Sequence, residues 1–92
     1  MDRFRIELSP AAARDLDDWE ISLVTKIFSD LRVLEDNPFP KGKMIKKIKG
    51  KKTSFYRLRI DQFRVFFEIQ QMSIIVLRIL NKKEAGRFIK KL

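Results

Sequence analysis

Three β-rich segments, residues 55–60, 63–69 and 73–80, follow one another closely in the second half of the chain. Only residues 61–62 and 70–72 separate them, and connections this short join antiparallel strands, because parallel strands need a long crossover. The third segment is apolar on both faces, a pattern typical of an interior strand. The chain is therefore predicted to fold around an antiparallel meander.

The N-terminal residues predict a strand followed by a helix. Phe4, Ile6 and Leu8 alternate with charged residues, the period of a half-buried strand, which we place beside the last strand of the meander. Ser9 and Pro10 then form a helix start, because serine is a favoured N-cap and proline suits the first helical position. The strand is thus expected to lead directly into the first helix.

Two further helices complete the predicted fold. Apolar residues at helical spacing over 23–34 predict a second helix, with a turn near residues 18–22. Asn81 and Glu84 have the spacing of a capping box and predict a short C-terminal helix. The expected class is α+β: an N-terminal strand and a two-helix hairpin on an antiparallel sheet of about four strands, in a single domain over residues 1–92.

Composition limits the chemistry of this domain. The 92 residues carry a net charge of +9, and they include neither Cys nor His. Disulfides, thiolate or histidine metal sites, and catalytic triads or dyads built on these residues are therefore excluded. We expect no metal or other cofactor. Neither a signal peptide nor a membrane span is visible, so we expect a cytoplasmic protein.

Positive charge concentrates in the second part of the chain. Residues 1–40 carry five basic and nine acidic side chains, net −4, whereas residues 41–92 carry sixteen and three, net +13. Such a surface is typical of proteins that bind polyanions or an acidic protein. A phosphate backbone would relieve the repulsion in the densest stretch, which is predicted as a loop. The candidate RNA-binding lysines of this loop are Lys46, Lys47, Lys49, Lys51 and Lys52.

Strand alternation predicts a face of the sheet that carries arginines. With residues 61–62 as a two-residue turn, Arg59 lies opposite Arg64, and Arg57 lies opposite Phe66. A longer turn would shift the register by one and move Arg64 to the other face. Like charges directly opposite each other are destabilising, which favours a preformed clamp for phosphate with Phe66 against a base. The alternative is that long arginine stems cover the sheet and extend into water.

Further candidates flank this face. Lys82, Lys83 and Arg87 follow the last strand, and the last two lie one helical turn apart; a solvated helix face explains them equally well. Phe88 offers another ring for base stacking. Glu68 is the carboxylate predicted on the arginine face, so it is either a candidate general base or an ion-pair partner of the arginines.

Several short motifs occur in a recognisable order along the chain. They are residues 48–50 (Ile-Lys-Gly), 56–59 (Tyr-Arg-Leu-Arg), 63–67 (Phe-Arg-Val-Phe-Phe), 76–79 (Val-Leu-Arg-Ile) and 82–84 (Lys-Lys-Glu). With the order of elements, they resemble the toxins of the RelE/ParE superfamily, in particular its RelE-like branch. The resemblance implies a helical hairpin on an antiparallel sheet. It also implies a ribosome-dependent endoribonuclease that cleaves mRNA and that a cognate antitoxin holds inactive.

The resemblance also implies roles for individual residues. Arg57 and Arg59 stand where RelE-like toxins carry basic residues on the strand before the hairpin, and Arg64 matches the arginine of the following strand. Lys83 falls at the basic position after the last strand, and Arg87 resembles the terminal-helix arginine of archaeal-type members. The lysines of the basic loop match the family in character and are interpreted as ribosomal RNA contacts.

One departure from the family concerns proton transfer. Many active relatives carry Tyr or His near the C-terminal end, where this chain has Phe88. The predicted mechanism therefore depends on charge: Arg59 and Arg64 stabilise the phosphate as the RNA 2′-oxygen attacks it. Arg57 and Lys83 orient the RNA backbone or stabilise the leaving oxygen.

Two other functions are compatible with the sequence. A ParE-like inhibitor of DNA gyrase would share the fold and act by binding, without cleaving RNA. A noncatalytic RNA-binding module would use the basic loop and exposed aromatic side chains, and it would show salt-sensitive affinity without a cut product.

Overall fold

The computed structural model describes residues 3–50 and 54–91. Its elements are β1 (Arg5–Leu8), α1 (Pro10–Asp15), α2 (Ile21–Leu31), α3 (Val33–Asp36), β2 (Ile45–Lys49), β3 (Ser54–Ile60), β4 (Phe63–Gln70), β5 (Ser73–Asn81) and α4 (Lys82–Lys90). Lys51 and Lys52, two of the predicted RNA contacts, lie outside the described residues. Within these two ranges, every helix is too short or too polar to cross a bilayer.

The strands form a five-stranded sheet in the order β1-β5-β4-β3-β2. The α+β class, the antiparallel meander of β3 to β5 and the interior position of β5 are confirmed. β1 lies beside β5 as predicted, but the two strands run parallel, with Ile6 aligned with Ile74. Helices and three strands separate β1 from β5 along the chain, so no tight turn forces them to be antiparallel. The sheet is therefore mixed.

β2 occupies the lysine-rich stretch that the sequence predicts as a loop. It pairs antiparallel with β3, and Ile45 and Ile48 point to opposite faces of the sheet. Lysine is depleted in strands, which is why the pattern suggests a loop. It is tolerated on an edge strand, where its charge discourages pairing with another chain. The sheet consequently has five strands instead of about four.

The N-terminal helices cover one face of the sheet. Ser9 caps α1: its Oγ accepts a hydrogen bond from the Ala12 N–H at 3.0 Å and donates to the Leu77 carbonyl of β5 at 2.9 Å. The predicted break between the first two helices is found at residues 16–20. The buried members of the first core, beneath these helices, are Ala12, Ile27, Leu31, Leu34, Ile45, Leu58, Ile60, Val65, Phe67, Ile74, Val76 and Ile79.

The β3–β4 hairpin has the predicted two-residue turn. Arg59 lies opposite Arg64, and Arg57 lies opposite Phe66, so the predicted register is confirmed. Asp61 has a φ of 50°, the left-handed conformation that tight hairpin turns require and that Asp tolerates. The three arginines therefore lie on the face of the sheet opposite α1 and α2.

A second core lies on this opposite face, under α4. Its buried members are Phe55, Phe66, Leu80 and Ala85. The pairing of β4 with β5 shifts between Phe66 and Phe67, and this bulge lets Leu77 pack against the second core. The predicted helix start is confirmed, because Asn81 Oδ1 accepts a hydrogen bond from the Glu84 N–H at 2.8 Å. The sheet thus has an apolar cluster on each face.

Ser9→Ala should lower the free energy of unfolding by about 1–2 kcal/mol, because it removes both the cap of α1 and the hydrogen bond to β5. Urea unfolding followed by circular dichroism measures the change. Ser29→Ala, at an exposed position of α2, is the control and should change this free energy by less than about 0.5 kcal/mol. Equal losses in the two variants would contradict the role given to Ser9.

Candidate phosphate-binding site

Three arginines meet on the face of the sheet that α4 partly covers. Arg57 and Arg59 project from β3 to the same side, because alternate residues of a strand share a face. Arg64 of β4 lies directly opposite Arg59, so it projects to that side as well. We call Arg57, Arg59 and Arg64 the arginine cluster.

Arg64 is the most buried member of the cluster, with 8% of its surface exposed. Its Nη1 donates to the carbonyls of Asp61 at 3.0 Å and Phe63 at 2.9 Å, which orients the guanidinium. Burial lowers the pKa of Arg64, and the positive charge of Arg59 lowers it further. Arg64 is therefore held in place, and a bound anion would stabilise its positive charge.

Arg57 is half-buried beside it. Its Nη2 donates to the Lys43 carbonyl at 2.9 Å, whereas its buried Nε has no hydrogen-bond partner among the described residues. Burial lowers the pKa of Arg57, as do the charges of Arg64 and Arg59. A buried donor without a partner costs free energy, so this guanidinium also favours an additional acceptor.

Within residues 3–50 and 54–91, no carboxylate pairs with the arginine cluster. Asp61 is close in sequence, but its carboxylate lies 2.6 Å from Lys26 Nζ, which also contacts Asp30 at 2.8 Å. The hydrogen bond to Asp30, and to a lesser extent the one to Asp61, raises the pKa of Lys26 to about 12. The cluster therefore keeps its charge, and its guanidinium donors suit an oxyanion such as phosphate. The same two ranges contain no group of three acidic side chains placed to hold a metal ion.

Basic residues of α4 border this cluster. The Lys82 N–H donates to the Gln62 carbonyl at 2.8 Å, so α4 begins beside the turn of the arginine hairpin. Lys82 and Lys83 are exposed there. Arg87, one turn further along, pairs with Glu84 at 3.3 Å. With Arg78 and Phe88 it lines a concavity of about 300 Å³ between α4 and β5.

Comparison with known sequences identifies the family. Residues 6–86 match the sequence profile of the ParE toxin of the type II toxin–antitoxin system parDE. The chain belongs to the RelE/ParE toxin family. A protein of Methanocaldococcus jannaschii named as a toxin, RelE1, is 33% identical over 86 residues, which cover 91% of this chain and 94% of that protein. The resemblance found in the motifs is thereby confirmed.

Solved structures share the fold of this toxin. The archaeal RelE–RelB complex from Pyrococcus horikoshii gives a TM-score of 0.69 at 19% identity, covering 86% of this chain and 94% of that chain. The YoeB dimer from Staphylococcus aureus gives 0.64 at 24% identity, covering 85% and 95%. At these identities the likeness is one of fold.

Phe66, predicted to stack on an RNA base, is fully buried in the toxin. The ring centre of Phe88 lies 4.8 Å from that of Phe66, and the ring centre of Phe55 lies 5.9 Å from it. Phe88 is itself half-buried in this aromatic cluster. Strand periodicity gives the face on which a side chain lies but not what covers that face, which is why the prediction of an exposed Phe66 is wrong. Phe66 is a core residue.

Strand pairing divides the predicted RNA-binding lysines between two faces. Lys46 lies opposite Arg57 and shares the face of the arginine cluster. Lys47 lies opposite Tyr56 and points to the other face, as does Lys49 two residues later. All three lysines are exposed. These lysines, predicted in one loop, therefore lie on two faces of the sheet, and of the three only Lys46 shares the face of the arginine cluster.

Glu68 lies on the arginine face, two residues beyond Phe66 in β4. Its Oε2 accepts a hydrogen bond from Gln70 Nε2 at 3.1 Å. In the part of the chain that the structure describes, it forms no ion pair with the cluster. Four residues of strand, about 13 Å, separate it from Arg64. A role for Glu68 as the general base has no support from this geometry.

Arg78 is a residue that sequence reasoning missed. Its Nε and Nη2 donate to the two carboxylate oxygens of Asp15 at 2.8 and 2.9 Å, and its guanidinium lies 5.9 Å from the centre of the Phe88 ring. The hydrogen bonds to Asp15 raise the pKa of Arg78. The sequence does contain a signal for Arg78: it is the one charged residue in the apolar run 74–80, and a charge in such a run is expected to have a partner.

Pyrophosphate should stabilise the toxin through the arginine cluster. At ten times its Kd it adds about 1.4 kcal/mol to the free energy of unfolding, which raises the melting temperature of a domain of this size by roughly 6–11 °C. Arg59→Ala should lose most of this shift because Arg59 is the exposed member of the cluster. Arg14→Ala, at an exposed position of α1, should retain it.

Thermal scans with pyrophosphate, compared with sodium chloride at equal ionic strength, measure the shift. A shift that survives Arg59→Ala unchanged would place the anion elsewhere on the toxin.

Proposed function

We propose that the toxin is a ribosome-dependent endoribonuclease that cleaves mRNA, with its arginine cluster on the scissile phosphate. The observation that supports this most directly is that three arginines share one face of the sheet and have no carboxylate partner among the described residues. Arg59 and Arg64 lie directly opposite each other, and like charges in such a pair destabilise a sheet. A bound phosphate would offset this cost.

In the proposed reaction, the RNA 2′-hydroxyl gives its proton to water and its oxygen attacks the adjacent phosphorus. The bond from phosphorus to the 5′-oxygen breaks, the leaving oxygen takes a proton from water, and a 2′,3′-cyclic phosphate forms. Arg59 and Arg64 would stabilise the charge that grows on the nonbridging oxygens, to which one well-placed donor contributes about 2.7–4 kcal/mol. Arg57 and Lys83 would orient the backbone, and Arg87 would hold RNA beyond the scissile phosphate.

The cluster would supply charge and orientation but no general base. Arginine stays protonated near neutral pH, and Phe88 has no group that transfers a proton. The ribosome would contribute by holding mRNA in the geometry for in-line attack, an effect that can exceed several kcal/mol. We therefore expect the toxin to act in the cytoplasm on translating ribosomes and to cleave free RNA poorly. Lys46 would contact ribosomal RNA beside the cluster.

A protein partner is inferred from the same charge. Related toxins form RelE–RelB complexes in Pyrococcus horikoshii and Methanococcus jannaschii. The net charge of +9 suits an acidic partner. We infer a cognate antitoxin whose carboxylates cover the arginine cluster and keep it from RNA.

Inhibition of DNA gyrase is the second candidate function. The matched family profile is that of ParE, and Phe88 stands where the resemblance leads us to expect a proton-transferring side chain. In this case the cationic face would bind its target without cleaving RNA.

Purified toxin added to translating ribosomes should create new mRNA 5′ ends, which primer extension maps. Arg59→Ala should lower the single-turnover cleavage rate by about 10²–10³-fold, the range for loss of one oxyanion donor. Arg14→Ala should stay within about twofold. Arg64→Ala is less informative, because Arg64 is buried and bonded to two carbonyls, so its loss should also destabilise the fold.

Cleavage by Arg59→Ala at the unaltered rate would remove the cluster from the mechanism. If no new ends appear and the toxin instead inhibits supercoiling by gyrase, the second candidate is supported. Salt-sensitive ribosome binding without either activity would support the noncatalytic RNA-binding module.

A further inference from the structure

The outer edge of β5 loses its strand partner halfway along. β1 ends opposite Val76, so within residues 3–50 and 54–91 no strand lies beside residues 77–81 on that side. Asp15, at the end of α1, replaces a strand there: its Oδ2 accepts a hydrogen bond from the Ile79 N–H at 2.9 Å. The same carboxylate accepts the two bonds from Arg78. These three donors hold a side chain that is only 12% exposed.

α4 packs on the second core through two of its side chains, Ala85 and Phe88. It has nine residues, and an isolated helix of this length is not stable in water. Gly86 in its interior weakens it further. Ala85 is its buried residue and Phe88 is half-buried. The Phe88 ring contacts Phe66 on one side and lies near the Arg78 guanidinium on another, so much of the anchoring of α4 depends on this ring.

We propose that Arg78 is a positioning residue for α4: held by Asp15, its guanidinium fixes the Phe88 ring and thereby the helix that carries Lys83 and Arg87. A guanidinium over an aromatic face is attracted by the negative charge distribution of the ring. A bidentate carboxylate fixes the plane of that guanidinium. The pair thus links the helices on one face of the sheet to α4 on the other, around the free edge of β5.

The charge of Arg78 distinguishes it from the arginine cluster. Its guanidinium is neutralised by a partly buried carboxylate, whereas Arg57, Arg59 and Arg64 have no such partner in the described part of the chain. An arginine that is already paired gains little from a phosphate. Its contribution to cleavage, which rests on the proposed function, is therefore indirect, while its anchoring of α4 does not depend on that function.

Hydrogen exchange measured by mass spectrometry tests the anchoring in the free toxin. Asp15→Asn and Arg78→Met break the pair from either side and largely keep side-chain size. In both, the peptide covering residues 82–91 should exchange about two- to fivefold faster, the factor for loss of one cation–π contact. Peptides from β3 and β4 should be unaffected. If Asp15→Asn does not fold, Arg78→Met alone decides the outcome.

Arg32→Met is the matched control. It breaks the pair of Arg32 with Glu35, at 3.2 Å, in the helical layer on the other face of the sheet from α4, and it should leave exchange in residues 82–91 unchanged. Unchanged exchange in Arg78→Met would overturn the proposal, whatever activity the toxin has.

Single-turnover cleavage on ribosomes tests positioning against a general loss of structure. Arg78→Met should lower the rate at saturating ribosomes about two- to fivefold and leave the half-saturating ribosome concentration within about twofold. In the Lys83→Ala/Arg87→Ala background, Arg78→Met should cause no further loss, because it acts through these residues.

The positioning role would be overturned if Arg78→Met lowered the cleavage rate by the same factor in the Lys83→Ala/Arg87→Ala background as alone. It would also be overturned if hydrogen exchange in α4 became faster while the cleavage rate stayed unaltered. Absence of cleavage by the unsubstituted toxin would refute the proposed function, and the exchange measurement would still decide whether Arg78 anchors α4.

Discussion

The two-residue turn at Asp61 and Gln62 determines the face that each side chain of β3 and β4 occupies. One more residue in the turn would shift the register and move Arg64 toward the first core. Three features of Asp61 hold the turn: its φ of 50°, its carboxylate on Lys26 of α2, and its carbonyl on Arg64. Asp61 therefore helps to set the register, and its own carboxylate pairs with Lys26 instead of the arginine cluster. The position of the three arginines and their lack of a carboxylate partner both depend on this one turn.

The second core and the arginine cluster share a face of the sheet, and each affects the other. Phe66 lies directly opposite Arg57 and is fully buried under α4. Apolar neighbours reduce the solvation of the guanidinium groups, which lowers the pKa of Arg57 and Arg64. The same low polarity strengthens their attraction for a phosphate. α4 therefore covers an apolar cluster, and by lowering the polarity around the adjoining cations it would also strengthen the anion binding proposed for them.

Local patterns made much of this structure predictable from sequence. The helix caps at Ser9 and Asn81 and the hairpin register depend on spacing and turn chemistry within a few residues. β2 could not be predicted because a lysine-rich stretch is typical of a loop. The parallel direction of β1 depends on its pairing with β5, which is distant in the sequence. The burial of Phe66 and the pairing of Arg78 also depend on distant contacts: Arg78 and Asp15 are 63 residues apart. Periodicity carries no information about such pairs.

The unpaired charge of the cluster links the proposed activity to its proposed control. Arg57, Arg59 and Arg64 repel one another in the free toxin, and any anion that settles among them offsets the same repulsion. RNA phosphates and antitoxin carboxylates would therefore compete for the same donors, so one surface would serve both the proposed cleavage and its proposed neutralisation. A toxin that lost this charge to escape its antitoxin would also lose its attraction for phosphate. The two properties can separate only through contacts outside the cluster, where an antitoxin can bind surfaces that RNA does not use.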